Sequence, residues 1–208
     1  MTDDAIADGE SHRLSRQDRT LPSAAQWDHW HSTCYPRVVT HKEADLFYRH
    51  LSPRPGTAAV DLGCGNGQWT RQLARWGLRV RGYDFSQEAL RQARAATTGH
   101  NPAYASWDIA GSPAPADMPT GTLDLATCRD ALPYFHHPEL LTQIARWLRP
   151  TGAFYALTNL TPQHARRRPR EFHRGLTLRE LHTVGSNWPH RLVYRLSPQR
   201  YAVILRPQ

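Results

Sequence analysis

From Thr57 onward the chain alternates two hydrophobic rhythms. Short apolar runs at residues 58–62, 79–84, 103–107, 123–128 and 153–158 read as buried strands. Between them the apolar positions recur at helical spacing. Trp69, Leu73 and Trp76 share one face of a predicted helix over 67–76. Ala89, Leu90 and Ala93 do so over 86–96, with Ser86 as its N-cap. Leu140, Leu141, Ile144 and Leu148 mark a third helix over 138–148. Strands separated by helical segments imply βαβ units and a mostly parallel sheet.

The two ends read differently. Residues 1–21 are polar and without periodicity, so they are expected to be a disordered tail. Residues 22–56 hold an aromatic and His-rich stretch, Trp27 to Tyr35, and a helix capped by Thr40 with Ala44, Phe47 and Leu51 inward. They are expected to form a lid on the substrate side, and residues 57–208 the core. Residues 161–175 are polar and Arg-rich, and 177–184 read as a helix. Residues 191–196 and 200–205 alternate, and the Ser197-Pro198-Gln199 turn makes them two antiparallel strands at a sheet edge. The expected fold is a single-domain, doubly wound α/β sheet of seven strands, mostly parallel with an antiparallel edge strand.

Composition narrows this picture only a little. The 208 residues suit one domain, and no apolar run is long enough to span a bilayer. The first residues lack the basic-then-apolar order of a secretory signal. The three cysteines form no pair at metal-ligand spacing and read as free thiols. A cytoplasmic protein without a metal is the expectation. The net charge is +8, and every basic residue except Lys42 is arginine. That balance admits a nucleic-acid partner without favouring one.

The chemistry gathers where the first strand meets the first core helix, at Val60-Asp61-Leu62-Gly63-Cys64-Gly65-Asn66-Gly67. Glycines there permit a sharp turn and close ligand approach, and the helix start offers outward N–H groups. Ligands of open α/β sheets bind at such carboxyl ends of strands. Asp61, just before the glycines, suits an ammonium group. Asp84, ending the second strand, can accept both hydroxyls of a ribose. Asp108, after the third strand, can accept from an exocyclic amine, with Trp107 and Ile109 beside an adenine ring. Each carboxylate also has a structural use: bonding loop amides, capping a helix, or closing a turn.

Together these positions resemble the class I, Rossmann-like methyltransferases that use S-adenosylmethionine. The resemblance covers residues 41–158 well and 176–206 loosely, including the fourth-strand segment 123–128 and the turn 148–153. It implies that Gly63, Cys64 and Gly65 embrace the methionine part of the cofactor. It also implies that Asp84 binds ribose with Phe85 packed on adenine, that Asp108 binds the adenine amine, and that Arg129 lies beside the methionine. The product would be S-adenosylhomocysteine.

The acceptor side is less specific. After the fourth strand come Asp130, Tyr134, His136 and His137, the segment that faces the reactive methyl in this family. His136 is the candidate base, although a solvent-facing helix start serves it equally. Trp30, Tyr35 and Tyr134 are candidate substrate contacts. The expectation is methyl transfer to an oxygen or nitrogen of a small molecule. The alternatives are an RNA methyltransferase, drawing on Arg166 to Arg170, and a cofactor-binding fold without transfer. Oligomeric state is left open.

Overall fold

The computed structural model describes residues 21–35, 37–116, 118–135, 137–161 and 172–208. Its strands are β1 (Ala58–Leu62), β2 (Arg79–Asp84), β3 (Ala103–Ser106), β4 (Leu123–Arg129), β5 (Leu148–Asn159), β6 (His190–Ser197) and β7 (Arg200–Arg206). Among the described residues they form one sheet in the order β3-β2-β1-β4-β5-β7-β6. The pairs from β3 to β5 are parallel, and β7 is antiparallel to both β5 and β6. The order reverses at β1 and β4, which places a crevice at the carboxyl ends of those strands. The doubly wound α/β expectation therefore holds.

The last hairpin supplies the expected antiparallel edge, with β6 as the edge strand. β7 inserts between β5 and β6, because its Ala202, Val203, Ile204 and Leu205 are all buried, whereas β6 is largely exposed. A strand apolar on both faces needs a neighbour on each side.

Side-chain alternation splits the core into two layers. Val60, Leu62, Ala126, Cys128, Phe154, Ala156, Val203 and Leu205 face one way, against α5 (His137–Trp147) and α6 (Leu178–Thr183). Ala59, Leu125, Ala153, Tyr155, Leu157, Ala202 and Ile204 face the other, against α2 (His41–Leu51) and α3 (Gln68–Arg75). There Phe47 of α2 meets Trp69 and Tyr155 edge-on and stacks on Trp76. β5 starts at Leu148 rather than 153, because Leu148 pairs with Leu123 across a bulge.

One helix is absent from the periodicity reading. α1 (Ala24–Thr33) opens on a capping box, in which Ser23 Oγ accepts from the Gln26 N–H and Gln26 Oε1 accepts from the Ser23 N–H. Only His31 on it is buried, so it has no apolar stripe to detect. It docks on α4 (Gln87–Ala95) through polar bonds. Asp28 Oδ1 accepts from Ser86 Oγ (2.6 Å) and from the Glu88 N–H (3.0 Å), and Gln92 Nε2 donates to the His31 carbonyl (2.8 Å). No helix among the described residues is long and apolar enough to cross a membrane.

Candidate active site

The turn after β1 is built from left-handed glycines, with φ of +67° at Gly63, +53° at Gly65 and +75° at Gly67. All three face other parts of the chain, Gly67 lying against Tyr104. A Cβ on Gly63 would collide with Ala131, and one on Gly65 would touch His31 Cε1 at 3.4 Å. The loop is tied to β2 by the Cys64 N–H on the Tyr83 carbonyl (2.9 Å) and the Gly65 N–H on Asp84 Oδ2 (2.8 Å). Burial pushes the Cys64 thiol far above its usual range, so it is no nucleophile.

The three carboxylates have distinct surroundings. Asp61 is buried, and its oxygens accept from Thr70 Oγ1 (2.7 Å) and Thr127 Oγ1 (2.8 Å). Burial raises its pKa to about 6, with the two threonines pulling it back. Asp84 accepts the Gly65 N–H on one oxygen and the Ser86 N–H (2.9 Å) on the other. Burial raises its pKa too, against those backbone bonds. The Phe85 N–H also bonds this carboxylate, whose four lone pairs still leave acceptor capacity for a ligand hydroxyl. Asp108 is exposed, and its Oδ1 accepts from the N–H groups of Ala110 and Gly111 (both 3.1 Å), closing a turn.

These residues line a cavity of about 780 Å³, within the range of small-molecule sites. Asp84, Phe85, Trp107, Asp108 and Ile109 are among its lining residues. Trp107 is mostly a core residue there. It meets Tyr83 and Trp147 edge-on, and its Nε1–H donates to the Ser112 carbonyl. Also in the lining, Trp27 meets Trp30, Tyr134 and Phe172 edge-on, and Trp30 stacks on Phe172. The Tyr134 hydroxyl also accepts from the Arg174 N–H. Tyr35 reaches the rim but is fully exposed.

The guanidinium of Arg129 lines the cavity with its donors engaged. It binds Glu43 through Nε (2.5 Å) and Nη2 (3.2 Å), and the carbonyls of Arg37 and Val38. Asp130 has a left-handed backbone (φ 60°) and meets Arg200 through both oxygens. That pairing engages both carboxylate oxygens. His136 and the run from Arg166 to Arg170 lie outside the described residues.

Several site residues carry no local signal. Glu43 is fully buried between Arg129 and Arg200. Arg37 Nη1 donates to Asn159 Oδ1 (2.9 Å) at the cavity wall. His31 is buried in the wall beside Gly65, and burial drives its pKa down to about 4 against the pull of Asp28 and Glu88. The WDHWH stretch hinted at a wall; the His31 position within it needed the α1 register.

A reversed-order parallel sheet with a glycine turn and a strand-end carboxylate at its crevice is the arrangement expected of a Rossmann-like methyltransferase fold. Residues 59–152 match the model of a methyltransferase domain family. Over 104 residues the chain is 36% identical to the ubiquinone biosynthesis O-methyltransferase of Cupriavidus pinatubonensis, covering 50% of this chain and 41% of that protein. The chain spans about half the length of the curated relatives it matches. Among solved structures, it superposes on Haemonchus contortus phosphoethanolamine N-methyltransferase 2 in complex with S-adenosyl-L-methionine. The TM-score is 0.68 at 15% identity, over 92% of this chain and 59% of that one. An S-adenosylmethionine-dependent methyltransferase from Mesorhizobium loti gives 0.60 at 22% identity, over 78% and 97%. At these identities the superpositions speak to the fold.

Proposed function

We propose that this chain binds S-adenosylmethionine and transfers its methyl group to an oxygen or nitrogen of a small molecule. The carrying observation is the glycine turn clamped to Asp84 in the lining of a cavity that Trp27, Trp30 and Tyr134 also line. The residues fit such a cofactor. The left-handed glycines leave no Cβ over the loop, Asp84 has acceptor capacity beyond its N–H partners, and Phe85 and Ile109 supply apolar surface for a base.

When bound, the cofactor supplies an electrophilic methyl on a sulfonium. The protein's part is placement. Gly63 and Gly65 admit the methionine portion, and Asp61 lends negative charge from below the loop. Asp108 and Trp107 border the base end. Trp27, Trp30 and Tyr134 hold a flat acceptor near the glycine turn and exclude water, which turns a bimolecular encounter into an aligned one. The printed names of the curated relatives, O-methyltransferases, favour oxygen. Described cysteines without disulfides agree with a reducing, cytoplasmic setting.

Titration calorimetry with S-adenosylhomocysteine tests the cofactor, and mass spectrometry for a gain of one methyl tests transfer. Binding without transfer to any acceptor would leave a cofactor-binding fold. A net charge of +8 supports one other reading, an RNA acceptor. RNA binding that falls steeply with salt, together with methylated RNA, would replace the small-molecule acceptor.

A further inference from the structure

The His31 imidazole packs against the rings of Trp27 and Trp30 in the cavity wall and makes no hydrogen bond among the described residues. His31 lies 7% exposed on α1, with its ring against Gly65 of the glycine turn. Its Nδ1 is sealed from solvent and lacks a hydrogen-bond partner. Its Nε2 has no hydrogen bond among the described residues either, yet it is not sealed, and the residue lines the cavity. Helix α1 is held in place by Asp28 and by the His31 carbonyl, so the imidazole itself is not what docks the helix. Nε2 is therefore the nitrogen that a ligand in the cavity can reach.

We infer that His31 is the catalytic base of this site and that the acceptor group it serves is an uncharged hydroxyl. The inference rests on the methyl-transfer reading above. Among the described residues, Asp130 is engaged by Arg200 and Glu43 by Arg129, and the Tyr134 hydroxyl accepts the Arg174 N–H. Around His31 stand Asp28 on its own helix, Glu88 on α4, Asp84 behind the glycine turn, and His173 against the neighbouring Trp30. The carboxylates of Asp28 and Glu88 stabilise an imidazolium formed during reaction.

The chemistry selects among acceptors. The acceptor oxygen forms its bond to the methyl carbon as the carbon–sulfur bond breaks, and that electron pair stays on sulfur. The hydroxyl proton passes to Nε2, leaving a methyl ether, a neutral thioether and an imidazolium. A buried imidazole, neutral through the physiological range, is sufficient for this step, because the oxygen becomes strongly acidic as it is alkylated. The same imidazole is too weak to deprotonate an alkylammonium, so a cationic amine is not served.

The test uses the full chain with catechol and a panel of simple phenols as probe acceptors, and S-adenosylmethionine as donor. His31→Ala and His31→Gln are expected to keep S-adenosylhomocysteine affinity within about twofold and to lower kcat by about 100- to 10,000-fold. Free imidazole should restore turnover in His31→Ala, which a packing role would not explain. The variant's kcat should also rise with hydroxide concentration where the wild type is flat. If His31→Ala does not fold, the glutamine variant and its pH profile carry the test. Wild-type turnover in either variant overturns the assignment. So does a wild-type protein that binds S-adenosylhomocysteine yet neither binds nor methylates any of the probes. Absence of S-adenosylhomocysteine binding would instead overturn the methyl-transfer reading itself.

Discussion

At the residue scale, Asp84 holds the loop and also lines the cavity. Its oxygens hold the Gly65 and Ser86 amides while facing the cavity. Asp84→Ala is expected to weaken S-adenosylhomocysteine binding by about 1–3 kcal/mol in calorimetry; unchanged affinity would remove it from the site. Asp61 and His31 titrate in opposite senses. Asp61 is held up at about 6 against 3.8, so the folded state binds the extra proton and its stability contribution is lost as pH rises from 3.8 to 6. His31 is held down at about 4 against 6.5, so the unfolded state binds the extra proton and stability is lost as pH falls from 6.5 to 4. The two slopes nearly cancel in the wild type. Asp61→Asn should therefore gain stability relative to wild type as pH rises from 4 to 6, and His31→Gln should gain as pH falls from 6.5 to 4. Each difference is on the order of 2–3 kcal/mol in urea titrations. Parallel pH profiles for variant and wild type would contradict both burial effects.

At the element scale, α1 is attached by polar contacts rather than by an apolar face. Asp28 caps α4 from outside, adding its carboxylate to the Ser86 cap and the Glu88 amide. Asp28→Ala should cost about 1–2 kcal/mol. Amide exchange should quicken across residues 24–33 while the sheet stays protected. Uniform acceleration across both regions would mean that α1 opens only with global unfolding. The β6–β7 hairpin teaches a related lesson. Its two strands are legible in sequence, but the position of β7 inside the sheet follows from having both faces buried.

At the scale of the whole molecule, the ion cluster of Glu43, Arg129, Asp130 and Arg200 joins α2, the end of β4 and the start of β7. It fixes the wall of the crevice from three distant parts of the chain. Glu43→Ala leaves Arg129 buried without its partner and should cost about 3–5 kcal/mol in denaturant unfolding. Glu43→Leu combined with Arg129→Met should recover much of that loss, because no buried charge is then stranded. A double variant as unstable as the single would show that the wall needs the ion pair's geometry and not merely its neutralisation.

The strands and helices around the glycine turn, the turn itself and Asp84 at its strand end were legible because they are local. Period-two and period-3.6 patterns report which side of an element is buried, and the glycines report where the backbone must turn left-handed. The partners across the crevice were not legible. His31 against Gly65, Glu43 under Arg129, Asn159 on Arg37, and Phe172 beside Trp30 pair residues far apart in the chain. A burial pattern says that a side chain needs a neighbour and leaves open which one. The sequence by itself thus determined the sheet, its glycine turn and the acidic strand ends. Only the tertiary structure decided which polar groups are consumed in holding the crevice together and which, like the His31 imidazole, are left facing it.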